Sequence, residues 1–185
     1  MADVTFITGN AKKAEFMAKY LDHPIDHQKL DLDELQSLNS REIVEHKVRQ
    51  AYEKIGKPVL VEDISFTMDC LGGKLPGPFI KWFIETMGFE EICRLCDGTG
   101  QRGATTSVCF AYFDGERLEF FEGSLRGSIP DHPRGDDGFG FNGIFIPEGQ
   151  DKTNAEMNEE ETAKYSLRTS TVYPQIKKFL SEVDK

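Results

Sequence analysis

The alternation of apolar and polar positions divides this chain into short strands and amphipathic helices. An apolar run at Val4–Ile7 predicts a buried strand, and apolar residues at helical spacing over Ser40–Ile55 predict a helix. Ser40 is the predicted N-cap of that helix, and Gly56-Lys57-Pro58 ends it. The other predicted helices are Ala11–Leu21 with Asn10 as its cap, Ile80–Met87, Glu90–Cys96, and a segment from Ala155 onward whose last helix opens at Pro174.

The predicted strands change their pairing along the chain. In the first half, Ile25–Leu30 and Val59–Val61 alternate with helices, an order that favours parallel pairing. In the middle, Thr105–Phe113 and Arg117–Leu125 flank Asp114-Gly115, which is a strong β-hairpin signal. The remaining segments are a loop at Gly72–Phe79, a loop at 133–143 and a short strand at 145–147. We therefore predict an α/β fold with a mixed, elongated central sheet flanked by helices, in two lobes around a substrate cleft.

Length and charge restrict the classes of protein to which the chain can belong. Its 185 residues favour a single domain spanning 1–185, and its net charge of −10 argues against a nucleic-acid-binding protein, which would present a basic face. A small polyanionic ligand stays compatible with this charge, because a local cluster of lysines outweighs the global sign. No apolar run is long enough for a membrane span and the N-terminus lacks a signal-peptide pattern, so we expect a cytoplasmic protein.

Two of the four cysteines, Cys93 and Cys96, form a C-x-x-C motif. No second pair has metal-ligand spacing, and the motif lies in a predicted amphipathic helix with Cys96 on its apolar side. A structural role for these thiols is therefore favoured over a redox or metal-binding role.

A glycine-containing turn, Thr8-Gly9-Asn10, joins the first strand to the first helix. In open α/β sheets ligands bind beyond the carboxyl ends of the strands, and a helix N-terminus presents N–H groups that suit phosphate. Gly9 allows the backbone to approach a ligand closely, and Lys12 or Lys13 would add positive charge. The turn lacks the glycine spacing of a Walker A loop, so an ordinary capped turn is the alternative.

Lys47 lies within the apolar stripe of the helix Ser40–Ile55. It follows Ile43 by four positions and Val44 by three, where a core residue is expected. Either the side chain snorkels out from the edge of the stripe, or it points a cation into a cleft where a phosphate would be its partner.

Carboxylates accompany these cations at the end of a predicted strand and in a loop. Glu62 and Asp63 follow the apolar Val59–Val61, and the loop segment Asp31–Gln36 carries further acids. A carboxylate at the tip of a buried strand is a metal ligand, a base or the partner of a lysine. Mg²⁺ takes one or two carboxylates together with phosphate oxygens, so lysines and carboxylates around one cleft indicate a magnesium–polyphosphate site.

Several short motifs, taken in order, resemble the inosine triphosphate pyrophosphatase family of house-cleaning nucleotide hydrolases. The motifs are FITGNAKK (6–13), DLDELQ (31–36), VLVEDIS (59–65), LGGKLPGPFIKWF (71–83), FGFNGIFIP (139–147), AEM (155–157) and SLR (166–168). The resemblance runs nearly end to end, and the first four motifs are highly specific in order and spacing. It implies a magnesium-dependent enzyme, typically a homodimer, that cleaves purine nucleoside triphosphates between the α and β phosphorus atoms and prefers deaminated bases such as hypoxanthine and xanthine.

The same resemblance implies roles for individual positions. Asp63 would be a metal ligand and the base for the attacking water, with Glu34 the second ligand of Mg²⁺ or of its possible substitute Mn²⁺. Lys13 would be catalytic as well as phosphate-binding. The implied phosphate-binding residues are Thr8, Gly9, Asn10, Lys12, Lys13, Lys47 and Lys81. The implied residues around the base and nucleoside are Ile64, Phe139, Gly140, Phe141, Asn142, Thr162, Leu167 and Arg168, with Phe139 stacking on the base and Arg168 donating to the purine 6-oxygen.

The chain departs from the family pattern at positions that the family uses to hold the nucleoside. Phe141-Asn142-Gly143 stands where the family usually has tryptophan, aspartate and proline. Leu167 stands in place of a histidine, and Thr162 in place of a lysine. Lys164 lies two residues later, about 200° round a helix, so it is a poor substitute for that lysine.

Two interpretations of these departures stay open. In one, the chain is an ordinary family member with a loosened base pocket; in the other, the pocket is rebuilt for another base, such as a modified or 6-amino purine. An apolar contact discriminates between substrates less than a hydrogen bond does, so we expect weakened or shifted base preference with pyrophosphate release retained. The functional alternatives are a nucleotide-binding module without turnover and a pyrophosphatase that cleaves dinucleotides or sugar nucleotides.

Overall fold

A computed structural model describes residues 4–136 and 140–183 of the chain. Its strands are β1 (Val4–Ile7), β2 (Ile25–Gln28), β3 (Val59–Met68), β4 (Pro76–Gly77), β5 (Gly103–Phe113), β6 (Leu118–Ser128) and β7 (Ile146–Pro147). Its α-helices are α1 (Ala11–Leu21), α2 (Ser40–Ile55), α3 (Ile80–Met87), α4 (Phe89–Arg94), α5 (Glu159–Tyr165) and α6 (Tyr173–Val183). Short 3₁₀ turns lie at Asp69–Leu71, Asn142–Ile144 and Asn154–Glu156, and Arg168–Val172 is a π-helical segment.

The strands form one mixed sheet, as the sequence predicts. Within the described residues it has seven strands in the order β2-β1-β3-β5-β6-β7, with β4 paired to β3. β1 pairs in parallel with β2 and with β3, and in the second pairing Phe6 lies opposite Leu60. β5 and β6 are the neighbours joined by the predicted hairpin turn, and β7 pairs antiparallel with β6. The α/β fold class is therefore confirmed.

The prediction that the third strand ends at Val61 is wrong. β3 continues to Met68, so Glu62 and Asp63 lie inside the strand. Phe66 and Met68 are fully buried and carry the apolar pattern beyond the two acids. The acids interrupt the hydrophobic pattern without ending the strand, because each carboxylate has at least one cationic partner that reduces the cost of its burial.

The predicted cap of α2 is also wrong. Asn39 is the N-cap, and its side chain accepts a hydrogen bond from the N–H of Arg41 at 3.1 Å. Ser40 is the first residue of the helix, which leaves its hydroxyl available for another partner. Asparagine and serine cap helices about equally well, so the sequence alone does not choose between adjacent candidates.

Other boundaries differ from the predicted ones by a few residues. β2 ends at Gln28, α4 spans Phe89–Arg94, and the hairpin strands extend further at their outer ends. The segment from residue 155 onward is not one helical run, because Ser166 is extended and separates α5 from the π-helical segment. α6 begins at Tyr173, one residue before the predicted Pro174.

The described chain packs as two compact units. The first comprises 4–63, 108–123 and 168–183, and the second comprises 64–107, 124–136 and 140–167. In the first unit, Val44 and Val48 of α2 pack with Val59 and Val61 of β3. The core of the second unit consists of Phe66, Met68, Ile80, Ile92, Cys93, Cys96, Ala104, Ile129, Ile144 and Phe145. The substrate cleft stays a prediction.

The helices of the described residues and the C-x-x-C cysteines bear on the predicted protein class. In the described parts of the chain, no helix is both long and apolar enough to cross a membrane. Cys93 and Cys96 are fully buried within the core of the second unit, where they pack among apolar side chains. Burial raises the pKa of the Cys96 thiol to about 12, which keeps it protonated.

Candidate active site

The turn Thr8-Gly9-Asn10 connects β1 to α1 and is held by its own polar groups. The Thr8 hydroxyl accepts a hydrogen bond from the N–H of Asn10 at 3.1 Å, and the Asn10 side chain accepts one from the N–H of Lys13 at 3.2 Å. Asn10 is therefore the N-cap that the sequence predicts. Gly9, Asn10 and Lys12 are exposed, so the turn is accessible to a ligand.

A first cluster of charges, the Glu62 cluster, consists of Glu62, Lys13 and Arg168. The Lys13 ammonium contacts Glu62 Oε1. Arg168 donates to the same carboxylate with Nε at 2.9 Å and with Nη2 at 3.3 Å. The side chains are 9% exposed at Glu62, 18% at Arg168 and 21% at Lys13. One buried carboxylate therefore holds two cations from distant parts of the sequence.

The Glu62 cluster carries more positive than negative charge. Two cations share one carboxylate, so the lysine and the arginine also repel each other. Burial, together with the charge of Arg168, lowers the pKa of Lys13 from 10.5 to about 7. Burial also lowers the pKa of Arg168. A cluster of this kind favours an additional anion, and phosphate oxygens are suitable ones.

A second cluster, the Asp63 cluster, consists of Asp63, Lys47, Glu34 and Ser40. Lys47 Nζ lies 3.3 Å from Asp63 Oδ1 and 3.4 Å from Glu34 Oε1. The Ser40 hydroxyl lies 3.4 Å from the other Asp63 oxygen, Oδ2. Lys47 and Asp63 are only 15% and 12% exposed, whereas Glu34 is exposed. Burial raises the pKa of Asp63, and Lys47 opposes this rise without cancelling it.

The Asp63 cluster argues against the snorkelling interpretation of Lys47, and the phosphate partner of this lysine stays a prediction. Its side chain runs inward from α2 and ends at two carboxylates instead of reaching out to bulk water. The position inside the apolar stripe thus indicates a cation with a specific buried partner.

Glu62 and Asp63 are neighbours in sequence but belong to different faces of the sheet. Consecutive side chains of a strand point to opposite faces. The Asp63 face is covered by α2, against which Val59 and Val61 also pack. The partners of Glu62 come from α1 and from the π-helical segment before α6. β3 therefore places one carboxylate in each cluster.

The donor set of the Asp63 cluster fits a magnesium ion. Asp63 and Glu34 each direct one oxygen toward the same positive charge, the Lys47 ammonium, at 3.3 and 3.4 Å. Across residues 4–136 and 140–183, no group of three or more His, Cys, Asp or Glu side chains could hold a metal ion alone. Mg²⁺ uses one or two carboxylates and completes its shell with water and phosphate oxygens, so these two carboxylates suit it when a phosphate is present.

Lys81 belongs to the second unit, on α3. Its ammonium is exposed, lies 3.9 Å from Glu85 one turn further along the helix, and lies 5.7 Å from the centre of the Trp82 ring. An exposed pair of this type is weak, so Lys81 stays available to an anionic ligand.

The residues that the resemblance assigns to the nucleoside differ in their surroundings. The Phe141 ring lies 5.0 Å from that of Phe66 and packs against the core of the second unit. Ile64 is half-buried in β3, and Gly140 has a left-handed φ of +59°. Asn142 begins a 3₁₀ turn. Phe139, the predicted stacking ring, lies outside the described residues.

Two of the divergent positions lie on or just after α5. Thr162 is exposed, and its N–H donates to the Asn158 carbonyl at 2.8 Å. Leu167 is half-buried and follows the last residue of the helix, Tyr165, by two positions. Lys164 points its ammonium over the Tyr165 ring, 5.2 Å from the ring centre, in line with its poor match to the lysine of the family.

Sequence reasoning missed two residues that the structure brings into these clusters. The sequence pattern places Glu62 beside Asp63 at a strand end and predicts no separate role for it, whereas alternation along the longer strand β3 separates the two side chains. The sequence predicts Ser40 only as a helix cap, although Asn39 beside it is an equally good capping residue.

A model of the Ham1 family matches residues 4–176, a range that includes every residue of both clusters. The chain belongs to the Ham1 family. Curated relatives align with the chain over most of their own length.

Two curated relatives illustrate that similarity. A dITP/XTP pyrophosphatase of Methanopyrus kandleri is 39% identical over 176 residues, which cover 91% of this chain and 92% of the relative. An inosine triphosphate pyrophosphatase 2 of Trypanosoma cruzi is 40% identical over 173 residues, covering 91% of this chain and 88% of the relative. They confirm the predicted family, and because pyrophosphatases are hydrolases, they also confirm that the chain is an enzyme.

Solved Ham1 structures share the fold. The Ham1 protein of Staphylococcus aureus superimposes with a TM-score of 0.86 at 22% identity, covering 99% of this chain and 100% of that protein. A HAM1 protein of Coxiella burnetii gives a TM-score of 0.83 at 22% identity and covers 98% of this chain. The fold of the Ham1 family is thus retained at low sequence identity.

Proposed function

We propose that the chain hydrolyses purine nucleoside triphosphates to the nucleoside monophosphate and pyrophosphate. The observation that carries this proposal is the Asp63 cluster, in which two carboxylates share one buried lysine. Family membership supports it, because the relatives described above are named as pyrophosphatases of dITP, XTP and inosine triphosphate. Non-standard purine nucleotides of this kind are the proposed substrates, and their removal from the nucleotide pool is the proposed role.

The Asp63 cluster suits the demands of this hydrolysis. The oxygen of a water molecule bonds to the α-phosphorus, the bond from that phosphorus to the bridging oxygen breaks, and pyrophosphate leaves. The protein contributes positioning and charge neutralisation more than covalent chemistry. When bound at Glu34 and Asp63, Mg²⁺, or Mn²⁺ in its place, supplies part of that neutralisation. Lys47 adds a buried positive charge on the same side.

Asp63 is the proposed base for the attacking water. Burial raises its pKa, which makes the carboxylate a stronger proton acceptor than a solvated aspartate. Lys47 and Ser40 contact different oxygens of this carboxylate, so its orientation is restricted before a substrate binds.

Arg168 is the proposed donor to the purine 6-oxygen. A guanidinium group has donors and no acceptor, so it matches a 6-oxo group and mismatches a 6-amino group. Asn142, Thr162 and Leu167 stand where the family pattern has aspartate, lysine and histidine. Fewer polar contacts discriminate less between bases, so the proposed preference is weaker than that of an enzyme with the full pattern.

We also propose a homodimer in the cytoplasm. Support for the dimer comes from Trp82, Leu75 and Met87, three large apolar side chains of the second unit that are exposed to solvent.

The test is pyrophosphate release with Mg²⁺ from inosine, xanthosine, adenosine and guanosine triphosphates, their deoxy forms and several modified purines. We expect inosine and xanthosine triphosphates to be cleaved best. Asp63→Asn should lower kcat by about 10²–10⁴-fold, the usual contribution of a general base. Asp69→Asn is the matched control, because Asp69 is an aspartate that also pairs with a cation, Arg126, but belongs to the second unit, and neither residue is a member of either cluster.

Each result of the panel has a defined meaning. If ordinary or modified purine triphosphates are cleaved as fast as inosine and xanthosine triphosphates, or faster, the proposed preference is wrong. The base pocket is then rebuilt for another base. Release of a nucleotide product other than the monophosphate would overturn the position of the cleaved bond. Binding without turnover in the wild-type protein would favour the nucleotide-binding module.

A further inference from the structure

Glu62 is the single carboxylate of a buried cluster with two cations. Lys13 approaches it from the first turn of α1, and Arg168 approaches it from the π-helical segment, 106 positions away along the chain. The three side chains are each at most 21% exposed, so water screens the charges poorly. The position of each cation therefore depends on Glu62.

Arg168 is held with a fixed orientation. Its Nε and Nη2 both donate to the Glu62 carboxylate, which is the fork geometry that fixes the plane of a guanidinium group. Lys13 shares Oε1 with the Nη2 contact. Lys13 and Arg168 therefore meet at one oxygen atom of the same carboxylate.

We propose that Glu62 is a positioning residue that ties Lys13 to Arg168, so that discrimination between purine bases depends on the lysine at the phosphate-binding turn. This inference rests on the proposed function, in which Arg168 contacts the base, and on the phosphate contact that the family resemblance implies for Lys13. The side-chain partners of Glu62 are Lys13 and Arg168. Its effect on the reaction passes through the two cations that it holds.

The sheet separates this role from catalysis at Asp63. The two acids point to opposite faces of β3, and the contacts of Asp63 are made with α2 and the loop of Glu34. Loss of Glu62 should therefore change which base is accepted and the KM for it more than the rate constant for the chemical step.

The kinetic test compares Glu62→Gln and Glu62→Asp with the wild type on inosine and adenosine triphosphates. The glutamine keeps the length but loses the charge, and the aspartate keeps the charge but is one methylene too short to reach both cations. We expect both variants to lower the ratio of kcat/KM for inosine over adenosine triphosphate by about 10-fold or more, since misplacement of a positioning group has effects of this size. Their kcat for inosine triphosphate should change by less than that factor.

The matched control is Glu122→Gln. Glu122 is also a glutamate of the first unit that pairs with an arginine, Arg41 at 2.8 Å, but both side chains are about half exposed. We expect this variant to keep the wild-type ratio and the wild-type KM. A similar loss in Glu122→Gln would mean that any change in ion pairing disturbs the site, and would overturn the specific role of Glu62.

A second measurement does not depend on turnover. The NMR signal of the Arg168 Nε–Hε group, assigned from its loss in Arg168→Lys, reports the hydrogen bond to Glu62. We expect it to shift in Glu62→Gln and also in Lys13→Met, which removes a cation that does not contact Arg168 directly. A signal unchanged in Lys13→Met would show that the two cations are not tied together, and would overturn the inference.

The two measurements keep the inference and the proposed function distinguishable. If the wild type cleaves no nucleotide, the proposed function fails and the Arg168 signal alone decides whether Glu62 links the cations. If turnover is normal but the Glu62 variants only lower the unfolding temperature, with ratio and signal unchanged, Glu62 is a structural residue and the inference fails.

Discussion

The carboxylate of Asp63 is 12% exposed, and its pKa is raised by burial even with a lysine beside it. A raised pKa means that the folded protein binds this proton more tightly than the unfolded chain does. Ionised Asp63 therefore costs stability at a pH above its folded-state pKa, and the cost disappears as the pH falls below the unfolded value. In the metal-free protein, the ionised carboxylate of the proposed base Asp63 therefore lowers the free energy of unfolding.

Asp63→Asn should accordingly stabilise the metal-free protein near pH 7 while it abolishes most of the activity. Lys47 keeps Glu34 within 3.4 Å, so the lysine is not left without an acid. Each kcal/mol relieved should raise the unfolding midpoint by about 2–4 °C for a chain of this size. The difference should shrink toward about pH 3, below the pKa of about 3.9 of an unperturbed aspartate, where Asp63 is protonated in the folded and the unfolded chain.

Thermal unfolding followed by circular dichroism across this pH range is the measurement. Asp69→Asn serves as the control of opposite sign, because Arg126 lowers the pKa of Asp69 and the ionised form is the favoured one in the fold. A lower midpoint for Asp63→Asn at neutral pH would show that the Lys47 contact outweighs the cost of burial.

At the scale of an element, α2 begins with two adjacent polar residues that have different roles. Asn39 caps the helix, and the Ser40 hydroxyl contacts Asp63. Both residue types are good caps in isolation. Which of the two caps the helix and which contacts Asp63 therefore follows from where β3 passes beneath the first turn of the helix.

Asn39→Ala and Ser40→Ala should therefore have opposite profiles. Loss of the cap at Asn39 should cost about 1 kcal/mol of stability with little change in kcat, because the N–H of Arg41 loses its acceptor. Ser40→Ala should leave the unfolding midpoint nearly unchanged and lower kcat, because one Asp63 oxygen loses its contact. Chemical denaturation and pyrophosphate release, applied to both variants, measure the two effects. A loss of stability in Ser40→Ala together with a lower kcat in Asn39→Ala would show that Ser40 is the cap.

At the scale of the whole molecule, the net charge is −10, but the two clusters together contain equal numbers of cations and acids. The two clusters together contain the cations Lys13, Lys47 and Arg168 and the acids Glu34, Glu62 and Asp63. The cations exceed the acids in the Glu62 cluster, and the acids exceed the cations in the Asp63 cluster. The arrangement thus offers one region to an anion and another to a metal cation, and each ligand should assist the other.

Mg²⁺ and pyrophosphate together should stabilise the protein more than the sum of their separate effects. Two carboxylates hold Mg²⁺ weakly, and phosphate oxygens complete its coordination. At about 100 times the dissociation constant, bound ligand adds about 2.7 kcal/mol, which corresponds to roughly 5–10 °C in the unfolding midpoint. Calorimetric scans with each ligand alone and with both provide the measurement. Purely additive shifts, or a cooperative shift that persists in Asp63→Asn, would contradict the shared site.

The sequence by itself determined the local elements and the family. Period-two and helical patterns located most strands and helices within a few residues, because apolar faces must be buried whatever the tertiary arrangement. The exceptions include the end of β3 at Met68 and the two-residue strand β4, which lies in the predicted loop Gly72–Phe79. The turn at Thr8-Gly9-Asn10 and the unusual lysine inside the α2 stripe are also visible in the sequence, and their roles in ligand binding stay predictions. Both signals are local, so a linear pattern contains them.

Only the tertiary structure decided which charges meet. The sequence placed Glu62 and Asp63 side by side at the end of a strand, whereas β3 runs on to Met68 and directs them to opposite faces. Glu62 meets an arginine 106 positions away, a distance over which no local pattern predicts a partner. Electrostatic contacts depend on distance in space and on burial, and these quantities are fixed when the sheet and its helices pack together.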